Sequence, residues 1–217
     1  MSKPLIQLAL DFVSIPSAVR MAVLASDPLD VIEVGTPLCK AGGMAAVSAI
    51  REVCPDKLVV ADVKTPDVGA LEAEICFNAG ADIMTVIGGA ALVTARQALM
   101  TAEKHKKHAQ MELTGVRDIL SRAPEWKEAG VKWMVYHLGW DEQGFDGREW
   151  TEEDLTVIGE LIDMGFDVTI TGGLDADLLS FFQGLNPKAL IFGRSIHQTE
   201  DPYRSAMKVR EAVEKVW

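Results

Sequence analysis

The chain has 217 residues, 48% of them hydrophobic, and a formal net charge of −11. That length fits one large domain or two small ones, with enough apolar material for a substantial core. The charge argues against nucleic acid as the main partner, because phosphate backbones need a basic footprint; a small anionic substrate needs only a local positive site. No apolar run reaches the ~18–20 residues that span a bilayer, and the opening Met1-Ser2-Lys3-Pro4 lacks the apolar stretch of a signal peptide. Cys39, Cys54 and Cys76 are odd in number and widely spaced, which is neither a disulfide framework nor a zinc pattern, so a reducing cytoplasm is expected.

The predicted elements alternate between short β-rich runs and longer amphipathic runs. Strand one is predicted over 5–10, ending at Asp11, then a helix over 15–24 with Pro16 at its start, where proline is tolerated. Strand two covers 30–34 and is followed by Gly35-Thr36-Pro37; a helix covers 43–53. Strand three opens with Leu58-Val59-Val60-Ala61 and runs into Asp62 and Lys64, with Asp67 beyond the turn at Pro66. On an extended chain Asp62 and Lys64 point to the same side. A helix follows over 67–79, then strand four over 83–87 before Gly88-Gly89, and a helix over 92–105. Strand five is predicted over 109–113, and a helix over 118–129 with Pro124 in its first turn or at a kink. Strand six, 131–136, ends at His137. The polar stretch 138–150 is the longest connection and a candidate lid or binding loop, with Trp140 and Trp150 as walls of the site. Thr151 and Asp154 form a capping-box start for a helix reaching 164. Strand seven, 166–170, ends in Thr171-Gly172-Gly173; a short helix covers 176–182. Strand eight, 189–192, ends in Gly193-Arg194-Ser195, and the last helix covers 202–216.

Eight strand–helix units without a linker imply parallel strands and right-handed crossovers. They suit a single-domain (β/α)8 TIM barrel over 1–217. A doubly wound open sheet would carry a Gly-x-Gly-x-x-Gly turn after strand one, and Asp11-Phe12-Val13-Ser14 is nothing like it.

Function in a barrel lies at the C-terminal strand ends. These are Asp11, Glu33, Asp62 with Lys64, Glu112, His137, Thr171 and Arg194. Taken alone, Asp11 has a second reading as a helix cap, Glu33 reads equally as a lysine partner, and a lone His137 reads first as a satisfied core histidine. A ring of such residues on one face points to a site. Thr171-Gly172-Gly173 and Gly193-Arg194-Ser195 follow strands seven and eight, where barrels commonly bind phosphate: Gly173 and Gly193 allow close backbone approach and Arg194 adds a cation. Glu33 and Asp62 end neighbouring strands and are candidate ligands for Mg²⁺, which favours oxygen. His105, His108 and His197 lie in polar segments and read as solvated.

Asp62-x-Lys64-x-x-Asp67, with Asp11, Glu33-Val34-Gly35-Thr36 and Gly193-Arg194-Ser195, resembles the orotidine 5′-phosphate decarboxylase superfamily. Within it the chain is most similar, over its whole length, to the 3-keto-L-gulonate 6-phosphate decarboxylase / D-arabino-hex-3-ulose 6-phosphate synthase family. The resemblance implies a phosphorylated sugar or sugar-acid substrate, Mg²⁺ near Glu33 and Asp62, and an enediolate intermediate. It implies a homodimer in which Asp67 reaches the partner's site, and a role in ascorbate or pentose catabolism. Lys64, Asp67, His137 and Glu112 are then catalytic, while Asp11, Glu33, Asp62, Thr171, Gly173, Gly193 and Arg194 bind substrate. Glu112, Thr171 and Arg194 look like the decarboxylase. His137-Leu138-Gly139-Trp140-Asp141 looks like the synthase, with Trp140 where the decarboxylase carries an arginine. The expected reaction is decarboxylation of 3-keto-L-gulonate 6-phosphate to L-xylulose 5-phosphate. The alternatives are the formaldehyde-fixing synthase and a non-catalytic phosphosugar-binding barrel.

Overall fold

In the computed structural model, which describes residues 3–217, eight parallel strands close into a barrel in the order β1 to β8. They are β1 (Leu5–Leu10), β2 (Val31–Val34), β3 (Leu58–Thr65), β4 (Ile83–Ile87), β5 (His108–Glu112), β6 (Trp133–His137), β7 (Asp167–Thr171) and β8 (Ala189–Phe192). β1 pairs with β8 to complete the closure. Strands such as β2 and β8 are buried on both faces, as a parallel sheet covered by helices requires. Among the described residues no helix is long and apolar enough to cross a membrane. Met1 and Ser2, on which part of the N-terminal reading falls, lie outside the described residues.

The helices are α1 (Ile15–Ala25), α2 (Thr36–Gly42), α3 (Met44–Val53), α4 (Gly69–Asn78), α5 (Leu92–His105), α6 (Ile119–Glu128), α7 (Trp140–Gly144), α8 (Glu152–Asp163), α9 (Arg194–His197) and α10 (Pro202–Val216). Three of them, α2, α7 and the short α9, lie where no helix is expected. α2 begins one residue after β2 with proline in its first turn, so a segment that reads as a bare connection is helical. α7 sits inside the supposed lid, where Glu142 Oε2 accepts from Gly139 N at 2.9 Å and starts the helix. The segment before β8 is a 3-10 turn, Leu178–Phe182. Pro124 lies well inside α6, past the first turn.

The outer core lies between the barrel and its helices, with Trp126, Phe182 and Phe192 fully buried. The three cysteines are free and buried; burial pushes the Cys39 and Cys76 thiols up to about 12, which keeps them inert. The barrel interior is layered. Val31, Ile83, Trp133 and Ala189 pack together near the N-terminal end against Val60, and the polar groups begin at the level of Val60.

Strand β3 departs from regularity where the chemistry gathers. Its pairing with β4 shifts register between Ala61 and Thr65, and Lys64 has φ 49, a left-handed conformation rare outside glycine. Asp62 and Lys64 do meet, but through this bulge and not through the alternation of an extended strand. Lys64 N donates to Thr85 Oγ1 at 2.9 Å, which anchors the bend.

Candidate active site

The C-terminal mouth of the barrel is a cleft with two connected halves, of about 420 Å³ and about 530 Å³. Asp11, His137, Trp140 and Thr171 line both halves and form the passage between them. The deeper half holds Glu33, Asp62, Lys64 and Glu112. The outer half holds Gly173, Gly193 and Arg194.

Asp62 is buried and accepts hydrogen bonds on both oxygens. Its Oδ1 accepts from Thr85 Oγ1 at 2.8 Å, and its Oδ2 accepts from Thr36 Oγ1 at 2.6 Å and from Lys64 Nζ at 2.5 Å. Lys64 Nζ also donates to Thr36 Oγ1 at 3.0 Å and lies 3.3 Å from Glu112 Oε2. That second approach is charge on charge, because its angle falls outside hydrogen-bonding geometry and Glu112 Oε2 has no hydrogen-bond partner. Burial alone would pull the ammonium down, but Asp62 and Glu112 together hold it above its ordinary value.

Glu112 Oε1 accepts from Thr114 N at 2.9 Å and Thr114 Oγ1 at 2.6 Å, and lies 3.3 Å from His137 Nδ1. Burial opposes ionisation here, yet the His137 contact, the Lys64 charge and the Thr114 hydroxyl outweigh it and lower the carboxyl to about 2. Thr114 Oγ1 also lies 3.0 Å from His137 Nδ1. With the Thr114 hydrogen given to Glu112, Nδ1 must carry its own proton, and Nε2 is left without a protein partner in the cleft.

Glu33 accepts on Oε2 from Gln7 Nε2 at 2.6 Å. Burial and then the charges of Asp62 and Asp11 raise it well above its ordinary value. Asp11, open to solvent at the mouth, is raised by partial burial and by Asp62. It does not cap α1, whose N-cap is Ser14. It packs so close to Gly35 that any side chain at that position would collide with its carboxylate. Asp11, Glu33 and Asp62 thus crowd negative charge that one lysine only partly balances. Among the described residues no group of three or more His, Cys, Asp or Glu is arranged to hold a metal ion. The available donors are the two carboxylates of Glu33 and Asp62, a set that suits a hard cation keeping most of its own water.

In the outer half Gly173 has φ +67 and lies directly under the Gln143 side chain, so a Cβ would collide with that amide. Gln143 Nε2 in turn donates to Leu138 O at 2.7 Å, which holds α7 over the glycines. The Arg194 guanidinium stacks on the Trp140 ring, 3.9 Å from its centroid. Trp140 therefore walls the site as expected. Trp150 does not: it packs edge-on against Phe182, and its Nε1 donates to Gly172 O at 2.8 Å.

All the sequence-predicted site residues line this cleft except Asp67, which is exposed on the turn beyond β3 and outside both halves. The solvated reading of His197 is corrected: its ring packs 5.1 Å from Phe12, and its Nε2 is buried and unpartnered, because α9 turns it back against the segment that follows β1. Thr36, Thr85, Thr114, Gln7, Gln110 and Gln143 have roles here that the sequence reading misses. Gln7 and Gln110 carry a signal, since each lies an even number of residues from a strand-end carboxylate on its own strand.

The family model for the orotidine 5′-phosphate decarboxylase / HUMPS family matches residues 4–209. The chain belongs to that family. It is 40% identical to the 3-keto-L-gulonate-6-phosphate decarboxylase UlaD of Salmonella typhi, over 100% of both chains. KGPDC from Streptococcus mutans, solved in complex with a ligand, superposes with a TM-score of 0.95 at 34% identity over 100% of both chains. The 3-hexulose-6-phosphate synthase of Salmonella typhimurium superposes with a TM-score of 0.92 at 30% identity, covering 98% of this chain and 100% of that one. This descent makes the protein an enzyme of the carboxy-lyase kind.

Proposed function

We propose that the protein decarboxylates 3-keto-L-gulonate 6-phosphate to L-xylulose 5-phosphate and CO₂. The observation that carries this reading is Lys64, a charged ammonium held between Asp62 and Glu112 in a cleft whose other end offers Gly173, Gly193 and Arg194. The outer half binds the phosphate: Arg194 supplies the cation and the glycines let the backbone approach. That orients the sugar acid with its reacting carbons toward Lys64.

When the bond to the carboxyl breaks, its electron pair passes to the adjacent carbon and on to the neighbouring carbonyl oxygen. Lys64 lies where that negative charge develops and stabilises it without reorganising. Glu33 and Asp62 would hold Mg²⁺, which supplies Lewis-acid stabilisation of the same charge. His137, as the imidazolium, then gives its Nε2 proton to the carbanionic carbon, directly or through water, and is left as the neutral Nδ1–H form that Glu112 and Thr114 hold.

Dimerisation completes the site. Exposed Asp67 and Val68, the latter at 53% exposure, lead into α4, and α4 and α5 leave Leu71 at 59% and Val93 at 61% exposure. A second copy covers this face and receives Asp67.

A second reading has its own observation. Trp140 stands in the loop after His137 and fills its space with a ring stacked on Arg194, so no second cation serves the protonation step there. An enediolate that is protonated slowly can instead attack formaldehyde, as in the synthase. Assays of CO₂ release from the keto acid and of hexulose phosphate formation from ribulose 5-phosphate and formaldehyde separate the two. Absence of CO₂ release in the presence of Mg²⁺ defeats the first.

A further inference from the structure

Barrel interiors are stacked in layers of four side chains from alternate strands, usually Val, Ile and Leu. The strand register puts Gln7, Val60, Gln110 and Thr169 in one such layer, two residues below Ala9, Asp62, Glu112 and Thr171 on the same strands. Three of these four are polar. Thr169 is satisfied, accepting from Trp133 Nε1 at 2.7 Å. The glutamines are not. Gln7 donates to Glu33, but its Oε1 has no protein partner, and neither Oε1 nor Nε2 of Gln110 has one. Both residues are 1% exposed, and both line the deep half of the cleft. Burying unpaired polar atoms is costly. Three of them facing one cavity point to a bound group that satisfies them.

Their chemistry says which group. Two carbonyl oxygens need donors and one amide nitrogen needs an acceptor. An anion brings no donor and a metal cation no acceptor. A hydroxyl brings both. We infer that Gln7 and Gln110 form a subsite for neutral hydroxyl oxygen at the floor of the cleft, filled by ordered water or by a hydroxyl of a polyol ligand. The cleft is then graded by charge: phosphate at Arg194, the developing anion at Lys64, neutral oxygen on the floor. Gln7 has a second task, since the hydrogen bond it gives Glu33 fixes one oxygen of that carboxylate.

The sugar-hydroxyl source rests on the decarboxylase reading; the water source does not. A crystal of the full chain at a resolution that orders water tests the subsite, first without ligand and then with Mg²⁺ and L-xylulose 5-phosphate. The expected result is oxygen density within hydrogen-bonding distance of Gln7 Oε1 and of both Gln110 atoms in the unliganded crystal. Its replacement by a sugar hydroxyl in the second crystal assigns the ligand as the source, and its persistence assigns water. A Gln110 amide bonded directly to neighbouring side chains, with no oxygen at either glutamine, overturns the inference. In solution the near-isosteric Gln110→Leu is expected to keep the wild-type melting profile and, where a sugar hydroxyl is the occupant, to lower kcat/KM at least about tenfold; unchanged kcat/KM overturns the sugar hydroxyl as the occupant. Should the wild type release no CO₂, the unliganded crystal still decides the subsite.

Discussion

The Lys64 ammonium lies 3.3 Å from Glu112 Oε2. The same nitrogen donates to Asp62 on the far side, so one cation joins carboxylates from β3 and β5 across the barrel mouth. Neither strand alone shows this, and removal of any one of the three leaves an uncompensated buried charge.

Glu112→Gln tests the bridge from the carboxylate side. Glu112 ionises at about 2 in the folded protein against an ordinary 4.5. Its folded value is depressed, so its stabilisation is fully present above the unfolded value and is lost as pH falls toward about 2. The variant should flatten the fall of Tm with acid in that window, read by thermal melts across it. It should also lower kcat by roughly 10–100-fold, because His137 loses its orienting partner. A melting profile parallel to the wild type would remove Glu112 from the acid response.

The connection 138–150 is tied down by a buried carboxylate. Asp154 Oδ1 accepts from Tyr136 Oη at 2.6 Å and Arg148 Nη2 at 2.8 Å, while Oδ2 accepts from Thr151 N at 2.9 Å. Asp154→Asn should cost about 2–3 kcal/mol of stability, measured by denaturant unfolding. A loss under about 0.5 kcal/mol would mean that the capping box alone matters.

Much of this is legible because the barrel imposes a rule: chemistry at the strand ends, alternation beneath it. The strand order and the ring from Asp11 to Arg194 follow from that rule. What escapes reading depends on contacts distant in sequence. The left-handed Lys64 needs Thr85 on the next strand. α2 hides behind Gly35-Thr36-Pro37, a turn-like signature that also opens a helix. His197 looks solvated because its neighbours in sequence are polar, and only the fold back onto Phe12 buries its ring nitrogen. Asp154 reads as a cap, but its partners Tyr136 and Arg148 are invisible from spacing.

Trp140 positions Arg194 by stacking. Trp140→Ala should raise KM for the phosphorylated substrate about 3–10-fold and change kcat little, which is the range of a partly desolvated cation–π contact. Steady-state kinetics check the split. A fall in kcat alone would mean that Trp140 serves the reacting end of the cleft.

Shared sites are tested by mixing two inactive proteins. Lys64→Ala and Asp67→Ala each spoil every site in their own homodimers. In a mixed dimer one of the two sites carries Lys64 from one chain and Asp67 from the other. Subunit exchange should therefore restore activity, followed by CO₂ release over time. No recovery after exchange confirmed by mass spectrometry would place Asp67 outside the partner's site.

The central claim is that the Lys64 bridge serves decarboxylation. Its most direct measurement is CO₂ release from 3-keto-L-gulonate 6-phosphate with Mg²⁺, comparing the wild type with Lys64→Ala. The predicted result is turnover by the wild type and a loss of at least about 10³-fold in kcat/KM in the variant, with the fold retained by circular dichroism. Equal rates in the two proteins, or no CO₂ from either, would contradict it.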